Sequence, residues 1–156
     1  MEGWSGVPLT GVAANGDLTQ LYPTHAPVGV NHSAAHNAGD LIRHPLGGKL
    51  GSVQVKTDGL NGGVIEIWDI SGFEVGADVS LAKTITDAQL QILITAKKAK
   101  LIFSQDFASS SGARTAFAGH RAFMKGLAGR FVGAGTCELN LTVDGGYQLR
   151  PSGGNP

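Results

Sequence analysis

The chain of 156 residues is short of cysteine, of charge and of long apolar runs. Cys137 is its single cysteine, so an internal disulfide and any CxxC metal or redox motif are excluded. In "TCELNLTV" that residue falls on the apolar phase of an alternating pattern, which reads as a buried structural thiol rather than a nucleophile. Charged residues are 15% of the chain, below the roughly 25% usual in soluble proteins. Neither sign is in excess, with twelve bases and twelve acids, which argues against a general polyanion binder. No apolar run approaches the roughly eighteen residues of a membrane-spanning helix. The opening "MEGWSGVPLTG" has neither a basic n-region nor an apolar h-region and does not read as a secretory signal. The expectation is a soluble protein made in a reducing compartment, with no membrane partner.

Catalytic motifs are also missing. His32 and His36 stand four apart, a spacing that suits a metal on one helix, with His25 and His44 nearby in sequence. The surrounding "NHSAAHNAGD" is weakly helical and lacks the glutamate of an HExxH motif, so these histidines are read as hydrogen-bonding or packing residues. Asp58 in "KTDGLNGG" and Asp69 in "WDISG" could be paired carboxylates, but each stands where turns favour Asp. "SSSG" is not a GxSxG nucleophile elbow. "LNGGVI" and "VGAGT" offer no phosphate cradle. Lys97, Lys98 and Lys100 read as a solvated helix end, and no direct nucleic-acid contact is expected. The sequence implies no enzyme, no cofactor and no bound metal.

Glycine and alternation are what the chain does have. Its 24 glycines are about twice the average share, and 42% of residues are hydrophobic, a composition of short strands and many turns around a packed core. "LGSVQVKTDG" places Val53 and Val55 inward, with Gln54 and Lys56 outward. "GGVIEIWDISG" places Ile65 and Ile67 on one face, with Glu66 and Trp68 on the other. With "DGLNGG" between them these stretches read as a hairpin, with Lys56 and Glu66 as a cross-strand pair. "KAKLIFSQDF" reads as a strand with Leu101 and Phe103 inward, and a short strand is expected near Phe117. "RAFMKGLAGRFVGAG" reads as one or two strands broken by glycines, and "TCELNLTVDGG" as the clearest strand of all.

One stretch resists the pattern. "QLQILIT" alternates, yet Thr86 and Gln89 have capping-box spacing, and Ile85 and Leu90 occupy hydrophobic-staple positions. Asp87 suits a helix start, and Lys97 and Lys98 its end. A helix over 86–97 is expected. Residues 1–40 show no sustained period and read as an extended N-terminal arm. The fold class expected is mainly β: an antiparallel β-sandwich or jelly-roll-like domain over 41–150 with one short helix, followed by a Gly/Pro tail over 151–156.

Two features point outward. Trp68 stands on the face of its strand that otherwise reads as solvent, covered either by the chain itself or by a neighbouring subunit. With Trp4, Leu21 and Tyr22 it makes up the candidate interface set. Charge is also divided along the chain. Residues 1–96 carry nine acids and four bases, and residues 97–156 three acids and eight bases. The halves either neutralise each other within one fold or form complementary patches between subunits.

The hairpin-like "LGSVQVKTDGLNGGVIEIWDISG", the connection ending in "KAKLIFSQDF" and the closing pair "FMKGLAGRFVGAGTCELNLTVD" resemble small β-sandwich head decoration (cement) proteins of tailed bacteriophages. The resemblance covers about residues 45–145 and carries across no functional residues. It implies a virion structural protein on the capsid exterior, made in the host cytoplasm. Its partners would be the major capsid protein and copies of itself as a dimer or trimer. The alternative is a phage tail or fibre-associated module recognising a receptor or carbohydrate through Trp68 or Trp4. A small metal-dependent hydrolase or cupin-like enzyme would need His32 and His36 to converge with a carboxylate.

Overall fold

The computed structural model describes residues 2–3, 7–22, 48–70, 84–123 and 126–144. These residues form a mainly β structure of two antiparallel sheets and one short helix. The strands are β1 (Glu2–Gly3), β2 (Val7–Thr10), β3 (Leu18–Tyr22), β4 (Gly48–Thr57), β5 (Gly63–Ile70), β6 (Thr84–Ile85), β7 (Ala99–Phe107), β8 (Arg114–Phe123), β9 (Leu127–Gly133) and β10 (Thr136–Asp144). The helix α1 spans Asp87–Thr95. The first sheet runs β1-β10-β4-β8, with β2 also on β10; the second runs β6-β3-β9-β5-β7.

The two sheets enclose one apolar core. β10 contributes Cys137, Leu139, Leu141 and Val143, all buried, as its alternation requires. They meet Val53 and Val55 of β4, Ile65 and Ile67 of β5, and Leu127 and Phe131 of β9. The four hairpin residues are thus a core patch, but they face each other across the core. β4 and β5 belong to different sheets, and "DGLNGG" carries the chain from one sheet to the other. The expected Lys56–Glu66 pair does not form. Lys56 stands opposite Glu138 on β10, and Glu66 stands opposite Arg130 on β9. Period-2 alternation states which face is buried; it does not state which strand lies alongside.

A second apolar layer covers the far face of the second sheet. Leu18, Ile70 and Ala128 project from that face onto Ile85, Leu90 and Leu93. The helix that supplies Leu90 and Leu93 is stopped at both ends by local chemistry. At its start Gln89 N donates to Thr86 Oγ1 (3.2 Å) and Thr86 N to Gln89 Oε1 (2.9 Å), the expected capping box. Ile85 and Leu90 are both fully buried in one cluster, as the staple positions require. At its end Lys98 N donates to Leu93 O (2.7 Å) and Lys97 N to Ile94 O (3.0 Å). This is a Schellman motif with lysine, at φ 61°, where glycine is usual. Lys97 and Lys98 therefore lie beyond the helix rather than in its last turn.

Residues 1–40, read as an arm, include three strands. β1 and β2 pair with β10, while β3 pairs with β6 and β9. Leu18 and Leu21, three residues apart on one strand, bury themselves in the two different apolar layers. Strands of two to five residues are too short to establish a period in sequence, which is why this stretch reads as irregular. Residues 23–40 and 151–156 lie outside the described residues.

Candidate interaction surface

Among the described residues no group of three or more His, Cys, Asp or Glu could hold a metal ion. His25, His32, His36 and His44 lie outside the described residues. Among the described residues no helix is long and apolar enough to cross a membrane.

The two aspartates do different work. Asp58 is a turn residue: Oδ1 accepts Leu60 N and Asn61 N, each at 2.8 Å, and Oδ2 accepts Asn61 Nδ2 at 3.0 Å and Thr136 N at 3.4 Å. Hydrogen bonds from the Asn61 side chain and from backbone N–H groups lower its pKa from 3.8 to about 2. Asp69 is buried at the end of β5. The serine-rich loop is likewise structural, since Thr57 Oγ1 accepts Ser110 N (3.0 Å) and donates to Ser110 O (3.1 Å). Burial pushes the Cys137 thiol up to about 12, with a further rise from the charge of Asp58, so the thiolate nucleophile is absent at neutral pH.

Of the candidate interface residues, the side chains of Leu21 and Trp68 lie among the described residues. Trp4 lies outside the described residues, as does the side chain of Tyr22. Leu21 is fully buried in the main core, which leaves it no surface to offer a partner. Trp68 is half-buried and packs against the layer that includes Leu90 and Leu93 of α1. Its cover therefore comes at least in part from the chain's own second apolar layer. Its indole Nε1 donates to Glu66 Oε1 at 3.4 Å.

Beside Trp68 the two charge halves of the chain meet. Arg130 Nε donates to Glu66 Oε1 at 2.9 Å; its Nη1 donates to Asp87 Oδ1 at 3.2 Å and to the Gly16 carbonyl at 2.8 Å. The arginine is 6% exposed. One base from the second half thus neutralises two acids from the first and ties β9, β5, α1 and the Gly16 turn together. The guanidinium fork makes this possible, because its donors point in several directions from one plane.

A different surface opens where the sheets end on one side. β8 is the edge of the first sheet and β7 the edge of the second. Between them lies a cleft of about 280 Å³ lined by Leu101, Ile102, Phe103, Ser104 and Gln105 of β7 and by Phe117, Ala118 and Arg121 of β8. Leu101 is 40% exposed and Phe117 88% exposed. Each strand carries a bulge here. On β7 the register passes from Ile67↔Phe103 to Trp68↔Leu101, leaving Ile102 as the extra residue. That insertion reverses the alternation, so Ile102 and Phe103 are buried while Leu101 turns out, against the inward position expected for it. On β8 the register passes from Ser52↔Phe117 to Leu50↔Arg121, and Gly119 and His120 take φ of 74° and 53°. The sequence contains a hint of this second bulge in Gly119; nothing in the β7 pattern marks the first. Comparison with family models, curated proteins and solved structures found no match to this chain.

Proposed function

We propose that this chain is a virion structural protein, a capsid decoration or cement protein that binds the outside of an assembled shell and bridges major capsid subunits. Its body is read as a β-sandwich of jelly-roll-like kind, assembling as copies of itself. The observation that carries the reading is the disposition of apolar side chains. Among the described residues they are spent on two internal layers except at a few places, and two of the four large exposed ones there, Leu101 and Phe117, share the β7–β8 cleft. A two-sheet body with a lateral cleft that exposes Leu101 and Phe117 beside Arg121 suits a subunit that attaches to other proteins. The resemblance of residues 45–145 to phage decoration proteins points the same way. The carbohydrate-binding alternative is weakened, because Trp68 is half-buried against the second apolar layer.

A subunit that binds only the assembled shell stabilises it by mass action, about 2.7 kcal/mol per site at a concentration a hundredfold above Kd. The test is co-sedimentation of the purified chain with assembled shells of the cognate major capsid protein, followed by heating. Saturable binding and a raised shell-disruption temperature are expected. A chain that stays in the supernatant at all concentrations overturns the reading. Deleting residues 1–40 is not a clean probe of an arm, since β2 and β3 would go with it.

A further inference from the structure

We propose that the outer face of the first sheet binds an N-acetylated oligosaccharide, with one acetamido group seated between Lys56 and Glu138. The inference goes beyond the decoration reading, does not depend on it and does not involve Trp68.

Register builds the face. Val53, Val55, Leu139 and Leu141 point into the core, so the residues between them point out. Glu138 stands opposite Lys56, Asn140 opposite Gln54 and Thr142 opposite Ser52. On the other side of β4, Gln54 meets Thr115 and Ser52 meets Phe117. Apart from Lys56 and Glu138, these paired positions present amides, hydroxyls and one aromatic ring, which is 88% exposed.

A depression of about 120 Å³ lies in this face, lined by Gln54, Lys56, Ala113, Glu138 and Asn140. Its polar side chains do not satisfy one another. Among the described residues Lys56 and Glu138 form no ion pair, although they are cross-strand neighbours, and Gln54 forms no side-chain hydrogen bond. Asn140 Oδ1 is buried and has no hydrogen-bond partner among the described residues. A buried acceptor without a donor costs the fold free energy, and a ligand hydroxyl or N–H in the depression supplies one.

Charge selects the ligand. One cation and one anion face each other there, with Cβ atoms about 5 Å apart across the two strands. An anionic or a cationic ligand would meet a like charge. A neutral group with an acceptor at one end and a donor at the other meets none. An acetamido group is of this kind: its carbonyl accepts from Lys56 Nζ, its N–H donates to the Glu138 carboxylate, and its methyl rests on Ala113. The depression takes a group of that few heavy atoms, not a whole sugar ring. A peptide amide has the same two ends, but β4 is already paired on both sides, so an extended peptide finds no free backbone edge in the middle of this face. Sugar hydroxyls need none, because Asn140, Gln54 and Thr115 offer donors and acceptors from side chains. Phe117 lies two rows beyond Lys56, about 13 Å by strand rise, where its ring stacks on the C–H face of a further sugar of the same ligand.

Amide-resolved NMR titration of the full chain with chitotetraose and cellotetraose tests this, since the two differ in the acetamido groups. Chitotetraose should shift Gln54, Lys56, Ala113 and Asn140 saturably and leave α1 unmoved, and cellotetraose should bind at least about tenfold more weakly. Glu138→Ala should raise the chitotetraose dissociation constant about tenfold, and Phe117→Ala about threefold. Both side chains are exposed, so the folded spectrum should persist, and Ile92→Ser on α1 should leave binding unchanged. The inference is overturned if chitotetraose shifts nothing, if cellotetraose binds equally, or if the shifts map to another face. Tighter binding of N-acetyl-triglycine amide than of chitotetraose would assign the depression to a protein partner and overturn it too.

Discussion

Arg130 and Glu66 stand directly opposite each other on β9 and β5, with Nε 2.9 Å from Oε1. The same guanidinium holds Asp87 in the first turn of that helix. A buried arginine so placed does more for arrangement than for net stability, because desolvating the charges offsets much of their attraction. Removing one partner is another matter. Arg130→Ala should destabilise by about 3 kcal/mol, the low end for breaking a buried pair, since Glu66 keeps some access to water. Arg130→Lys should recover little, because an ammonium cannot reach Glu66, Asp87 and the Gly16 carbonyl together. Urea unfolding of both variants checks this; full recovery by lysine would show that charge alone matters.

Lys97, the residue after the C-cap Ala96 of α1, sits at φ 61°. A side chain there meets the carbonyl oxygen that glycine avoids. Lys97→Gly should stabilise by about 0.5–1 kcal/mol, less than the full left-handed penalty because glycine also loosens the unfolded chain. The expected signature is a higher denaturant midpoint at unchanged m-value. A lower midpoint would mean that the lysine side chain contributes more than its backbone costs.

Asp58 sets an acid limit. Its pKa is depressed when folded, from 3.8 to about 2. Its contribution is therefore present above about pH 4 and is lost as pH falls toward 2, where the folded-state carboxylate takes up its proton. Thermal melts from pH 5 to 2 should show a steeper fall for the wild type than for Asp58→Asn. Parallel curves would remove Asp58 from the acid response.

Cys137 should be silent in the folded protein. It is buried, with its thiol pushed up to about 12. A thiol reagent at pH 8 should label it only as fast as the chain opens, and stoichiometrically in denaturant. Rapid labelling without denaturant would show that β10 is not held between β2 and β4.

How much of this was legible in the chain depends on the distance over which each signal acts. The capping box at Thr86 and Gln89, the staple of Ile85 and Leu90, the Asp58 turn and the alternation of β10 are interactions within a few residues, and each stands in the structure where its spacing placed it. The candidate interface was less legible. Leu21 was offered to a partner and is core, while Phe117, expected only to lie near a short strand, is the most exposed large apolar side chain among the described residues.

By itself the sequence determined which faces are apolar, where the helix starts and where the turns fall, because those depend on neighbours along the chain. Tertiary structure decided that β4 and β5 face each other across the core instead of pairing, that Glu66 belongs to Arg130, and that Leu101 turns outward at the Ile102 bulge. Strand partners are chosen over long separations by the joint packing of two sheets, and a one-residue bulge reverses a whole pattern without leaving a mark in composition.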